Sequence, residues 1–110
     1  MRKSKQGKNV VIYARGVPDS IERQLQACRQ YVAETGMTVV EEVTEQKAKP
    51  SDRLSPSQFL KKINARPDAV IVTSLDRLSR RRLEVQDWLD SLAKQRIRIV
   101  SLAQPTRRAR

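Results

Sequence analysis

Short apolar runs recur along the chain and predict four strands. They fall at residues 9–14, 37–43, 69–73 and 97–102. Glycine, proline or polar residues border these runs, as expected where a strand gives way to a turn. Residues 44–54 are polar and predict a mobile loop.

Apolar residues at helical spacing predict three helices between these strands. The first begins at Asp19, with Glu22 completing a capping box, and ends at Gly36. The second begins within residues 55–58, where a serine cap is followed by proline and by glutamine. The third covers about 81–94. The apolar residues at helical spacing are Ile21, Leu25, Cys28, Val32, Phe59, Leu60, Ile63, Leu83, Val85, Trp88, Leu89 and Leu92.

The alternation of strands and helices predicts an α/β fold. We expect a mostly parallel central sheet of about four strands with helices on both faces. The length of 110 residues is enough for one small domain. We therefore predict a basic flexible arm at 1–8, a folded domain at 9–104 and a basic tail at 105–110.

The charge balance favours an anionic partner. The chain carries 23 Lys and Arg against 12 Asp and Glu, a net charge of +11, which makes nucleic acid the first candidate. It has no histidine and one cysteine, Cys28, so we expect no metal site and no cofactor. No run is apolar and long enough to span a bilayer. A lone cysteine fits a reducing compartment, so we expect a cytoplasmic, nucleoid-associated protein without a membrane partner.

Charged residues are concentrated where the third strand ends. Asp76, Arg77 and Arg80 follow the apolar run at 69–72 and precede the third helix. Ligands of open α/β sheets bind beyond the carboxyl ends of the strands, and arginines there suggest a phosphate. Parallel topology brings Arg15 to the same edge, and Arg53 precedes a helix that could return there. We expect these four arginines to converge.

These residues carry a family resemblance. The segments Tyr13-Ala14-Arg15 and Leu75-Asp76-Arg77-Leu78-Ser79-Arg80 resemble the amino-terminal catalytic domain of serine recombinases, the resolvase and invertase family. The resemblance covers about residues 9–104. It implies site-specific recombination or integration of mobile DNA, through a serine that attacks the phosphate and forms a 5′-phosphoserine link without nucleotide or metal.

The resemblance also implies residue roles. Arg15, Arg53, Arg77 and Arg80 would bind the scissile phosphate, and Asp76 would orient arginines or take part in proton transfer. Arg81 and Arg82 extend the cationic run. Three cations at a helix amino end oppose the macrodipole, and a bound anion would relieve that cost. We therefore include both as DNA-binding residues.

One position departs from the family pattern. The nucleophile stands two residues after the arginine of the first motif, and Val17 occupies that position here. The segment from Arg15 to Glu22 is also about two residues shorter than the pattern. Valine cannot form the ester, so we predict a domain that binds DNA phosphates and is impaired in cleavage.

Two alternatives stay open, and with them the question of enzymatic activity. Ser20 is the nearest hydroxyl and could serve as nucleophile in an active recombinase. Alternatively, the domain could be a regulatory module that docks on a full-length recombinase, or could form a homo-oligomer.

Overall fold

The computed structural model describes residues 8–46 and 54–103. Its strands are β1 (Asn9–Gly16), β2 (Thr38–Gln46), β3 (Ala69–Val72) and β4 (Arg98–Ser101). Its helices are α1 (Pro18–Thr35), α2 (Pro56–Lys62) and α3 (Arg82–Lys94), with a 3₁₀ helix at Leu75–Arg77. All strand pairs are parallel, in the order β2-β1-β3-β4. The predicted α/β fold with a parallel sheet and helices on both faces is confirmed.

Alternate residues of the central strands divide the core into two layers, because successive strand side chains point to opposite faces. Val10 and Ile12 of β1 pack with α1 residues such as Leu25 and Cys28. Val11 and Tyr13 pack on the other face with residues of α2 and α3, including Trp88. The apolar run of β3 is buried along its whole length.

Two helix boundaries follow directly from local sequence. Ser55 caps α2 through a capping box with Gln58, and Pro56 holds the first helical position. Gly36 ends α1 in the left-handed conformation, with a φ of 77°. Both predictions are confirmed.

Other local predictions are wrong. The residue before the first turn of α1 is Val17, so Asp19 lies inside the helix and forms no capping box. Pro18 explains this start, because its fixed φ suits the first helical turn. Strand β2 continues to Gln46, into the segment predicted as loop. Leu83 is 84% exposed, because it lies on the opposite side of α3 from buried Trp88 and Leu92.

Several sequence predictions fall on residues that the structure does not describe. The basic arm, apart from Lys8, and the basic tail are among them, as is Arg53. Within the described ranges, no helix combines the length and the apolar character needed to cross a membrane.

Candidate active site

Arg15 lies at the carboxyl end of β1 and is almost completely buried. Its Nη1 donates a hydrogen bond to Glu45 Oε1 at 3.0 Å, and the two side chains are 6% and 13% exposed. Strand pairing sets these residues side by side, since Arg15 of β1 is in register with Glu45 of β2. The charge of Arg15 is therefore neutralised locally.

Tyr13 completes this group. Its hydroxyl donates to the same Glu45 oxygen at 2.8 Å, and its ring packs against Phe59 of α2 and Trp88 of α3. Burial, and next the hydrogen bond with Glu45, raise the pKa of Tyr13 well above its ordinary value. Tyr13 therefore stays protonated and acts as a donor that holds the carboxylate.

Gln24 joins α1 to the end of β1. Its Oε1 accepts from the Arg15 amide at 3.1 Å, and its Nε2 donates to the Arg15 carbonyl at 2.8 Å. The same Nε2 donates to Ser20 Oγ at 2.9 Å. Gly16 allows this close approach: a Cβ on it would stand 3.2 Å from Ser20 Oγ, and its φ of 151° disfavours other residues.

The 3₁₀ helix carries Arg77 back to β1. Arg77 Nη1 donates to the Arg15 carbonyl oxygen at 3.3 Å. Its Nε is buried and finds no hydrogen-bond partner within the described residues. The structure thus places Arg77 next to Arg15, with the contact made through the Arg15 backbone.

Asp76 is exposed and accepts a hydrogen bond from the Ser74 hydroxyl. No ion pair joins it to an arginine of the described part of the chain. The role predicted for Asp76 in orienting arginines stays a prediction.

Arg80, Arg81 and Arg82 are exposed where α3 begins. Buried Ser79 holds this turn: its hydroxyl donates to Glu84 Oε1 at 2.5 Å and accepts from the Arg81 amide at 3.0 Å. The Arg81 and Glu84 side chains approach only to 3.9 Å and are largely exposed. These cations therefore face solvent at the carboxyl edge of the sheet.

Val17 and Ser20 differ in their surroundings. The Val17 side chain is 57% exposed at the start of α1, whereas Ser20 is half-buried and hydrogen-bonded to Gln24. Val17 offers no hydrogen-bonding group beside Arg15. Among the described residues, no cluster of three or more His, Cys, Asp and Glu could hold a metal ion.

Sequence reasoning missed Gln24, Glu45 and Ser79. Gln24 interrupts the apolar stripe of α1, and a polar residue there could have been recognised as a buried hydrogen-bonding group. Glu45 stands where β2 reaches the carboxyl edge of the sheet, which would have placed it beside Arg15. Ser79 belongs to the motif that carries the family resemblance, but the sequence did not indicate its hydrogen bonds with Glu84 and Arg81.

A family model matches nearly the whole chain. Residues 4–110 match the model described as Resolvase, N terminal domain. The chain belongs to this family. The resemblance proposed from the two arginine motifs is thereby confirmed. No curated protein matches this sequence significantly.

Several solved structures share the fold. The C-terminal catalytic domain of ISC1926 TnpA, an IS607-like serine recombinase, is 24% identical with a TM-score of 0.72; the match covers 89% of this chain and 72% of that one. The N-terminal catalytic domain of TP901-1 integrase is 27% identical with a TM-score of 0.69, covering 86% and 77%. The first open reading frame of transposon ISC1904 from Sulfolobus solfataricus P2 is 21% identical with a TM-score of 0.58, covering 90% and 70%.

Proposed function

We propose that this serine-recombinase domain binds DNA phosphates at the carboxyl edge of its sheet and is impaired in strand cleavage. The observation that carries this proposal is the exposed hydrocarbon side chain of Val17, at the position where the family pattern requires a hydroxyl. Binding and bond formation are separable contributions, so loss of the nucleophile leaves phosphate recognition intact.

The described arginines support phosphate binding in different ways. Arg80, Arg81 and Arg82 reach solvent and can contact phosphate oxygens directly. Arg77 has an unpartnered Nε next to Arg15. Arg15 is held by Glu45 and would contribute mainly by positioning Arg77 through its carbonyl oxygen. Arg53 remains a predicted ligand.

Association with DNA follows from the same proposal, including location at the nucleoid. A net charge of +11 favours binding of DNA through its phosphates, which does not depend on the base sequence. Self-association and docking on a full-length recombinase stay predictions, because they depend on surfaces that no observed contact identifies.

Binding can be tested by fluorescence anisotropy with a labelled DNA duplex at several salt concentrations. We expect Arg77→Ala and Arg80→Ala each to weaken binding and to reduce the salt dependence, because each removes a phosphate contact. Arg98→Ala is the matched control, since Arg98 is exposed at the first position of β4, at the opposite edge of the sheet. If all three variants lost the same binding affinity, the effect would come from net charge alone, which would contradict the proposal.

Cleavage needs a separate test. The protein is incubated with supercoiled DNA, quenched in denaturant and examined for covalent protein–DNA adducts, of which we expect none. The second candidate function, an active recombinase, is favoured by one observation: Ser20 Oγ and the Arg15 carbonyl oxygen share Gln24 Nε2 as donor. Adducts that disappear in Ser20→Ala would establish that function instead.

A further inference from the structure

A groove between α2 and α3 has three cations and no carboxylate among its lining residues. Two carboxylates border it: Glu41 accepts hydrogen bonds from the Asn64 and Ala65 amides, and Asp87 accepts one from the Ser91 hydroxyl. The groove consists of two adjoining cavities of about 290 and 370 Å³ that share Leu60, Lys61 and Gln95. Arg66 and Lys94 add two further positive charges. The other polar lining residues are neutral, and half-buried Leu60 supplies the apolar surface, with Ile63 and Ile97 buried behind it.

The groove lies at the opposite edge of the sheet from the arginine-rich turn. Its residues Asn64–Arg66 precede β3, and Gln95 and Ile97 precede β4, so they mark the amino-terminal edge of the sheet. Along α3, Arg82 and Lys94 are separated by roughly 18 Å at 1.5 Å per residue. One phosphate group therefore cannot contact both basic surfaces.

The three cations of the groove are free to bind an anion. Lys61, Arg66 and Lys94 are exposed, and none forms an ion pair with another described residue. Arg66 Nη1 donates to Gln95 Oε1 at 3.3 Å, which joins the loop after α2 to the end of α3. Lysines near the carboxyl end of a helix interact favourably with the helix macrodipole, which would account for Lys61 and Lys94. Arg66 belongs to neither helix, so the macrodipole does not explain why all three cations lie together.

Acidic residues separate this groove from the arginine-rich turn. Glu84 and Asp87 are exposed, and helical spacing puts them on the same face of α3 as Ser91 and Lys94. A polyanion that followed α3 from one basic surface to the other would meet these two carboxylates. The groove ligand is therefore distinct from DNA held at the carboxyl edge.

We propose that the α2–α3 groove is a second binding site for a phosphate ester, either a free nucleotide or a separate nucleic-acid segment. Lys61, Arg66 and Lys94 bind the phosphate oxygens, because ammonium and guanidinium groups form charge-assisted hydrogen bonds with them. The apolar side of the groove, formed around Leu60, contacts the sugar or the base. The carboxylates of an acidic peptide could pair with the three cations, but such a peptide has no sugar or base to contact the apolar surface. This site goes beyond the proposed function and does not depend on it.

The test is an amide chemical-shift titration of the isotope-labelled full chain. The probes are a deoxynucleoside monophosphate, a short single-stranded oligodeoxynucleotide, inorganic phosphate and a poly-glutamate peptide. We expect one of the two phosphate esters to shift the Asn64, Ala65 and Gln95 amides, and whichever ester binds more tightly identifies the source. Shifts confined to Arg15 and residues 77–82, or equal binding of inorganic phosphate or the peptide, would overturn the proposal.

A pair of neighbouring lysines supplies the matched control. Lys61→Ala should weaken phosphate-ester binding by about tenfold, since a hydrogen bond to a charged group is lost. Lys62→Ala removes the same charge from the same helical turn, but Lys62 does not line the groove, so affinity should change by less than about twofold. Equal losses of affinity in the two variants would show that binding depends on overall charge and not on this groove.

The two proposals fail separately. Arg77→Ala should leave the nucleotide response of the groove amides unchanged while it weakens binding of duplex DNA. If Arg77→Ala instead abolishes the groove response, one surface accounts for both results and the second site does not exist. A folded spectrum of each variant shows that the change is local.

Discussion

The Arg15 guanidinium and the Glu45 carboxylate form an ion pair of 3.0 Å inside the edge of the sheet, with both side chains largely buried. Their strands are adjacent and parallel, so the pairing follows from backbone register. The Tyr13 hydroxyl satisfies the same carboxylate oxygen from the second core layer. This group links the stability of the sheet edge to the position of Arg15.

Replacing Glu45 by glutamine should destabilise the domain by about 3 kcal/mol, because it leaves the buried Arg15 charge without its counter-ion. The free energy of unfolding in urea measures this loss. Glu42→Gln is the control, since Glu42 lies on the same strand but pairs with exposed Arg29 at 2.7 Å. Glu42→Gln should lower the free energy of unfolding clearly less than Glu45→Gln does. Equal decreases would show that burial of the Arg15–Glu45 pair has no energetic consequence.

Gly16→Ala should destabilise the domain by about 1–2 kcal/mol, because alanine disfavours the Gly16 backbone conformation and its Cβ would crowd Ser20 Oγ. The cost should be lower when the substitution is made in a Ser20→Ala background, which removes the crowding oxygen. Unfolding free energies of the four proteins give the coupling. A cost that is the same in both backgrounds would show that Ser20 Oγ makes no steric contribution.

Val17→Ser should stabilise the domain by about 1 kcal/mol and restore no appreciable DNA cleavage. Val17 occupies the capping position of α1 without a side-chain cap, and a serine there can accept a hydrogen bond from the first-turn amides. The hydroxyl then binds the helix end instead of attacking a phosphate. Urea unfolding and the denaturing adduct assay measure the two effects, with Val17→Ala as the variant that lacks the hydroxyl. Robust adduct formation by Val17→Ser would refute this prediction.

The Cys28 thiol should make stability fall at alkaline pH. Burial, and to a smaller extent the Glu42 carboxylate, raise the pKa of Cys28 from 9.0 to about 11. Between these values the unfolded chain loses the thiol proton while the folded chain keeps it, so the contribution is complete below about pH 9 and is lost as pH rises through 11.

Urea midpoints of the natural protein and of Cys28→Ala, compared across this pH range, isolate the contribution of the thiol. Other groups, Tyr13 among them, titrate in both proteins and cancel in the comparison. A difference between the two proteins that does not change with pH would contradict the raised pKa.

Local sequence was sufficient for the elements and their order. Continuous apolar runs identify β1 and β3, and the serine cap before α2 and Gly36 after α1 give two helix boundaries. These signals act between near neighbours in the chain, through side-chain burial and helix capping. The two arginine motifs were likewise enough to identify the family, which the match to residues 4–110 confirms.

Only the tertiary structure decided how the site residues are held. Arg15 meets Glu45 because two strands align in register, and Gln24 reaches the Arg15 backbone because α1 folds back across β1. Burial then distinguishes Arg15 from the exposed arginines at the start of α3, although all are the same residue type. Hydrogen bonds between residues far apart in the sequence depend on distances in the folded chain. The periodicity and the composition of the sequence give no information about those distances.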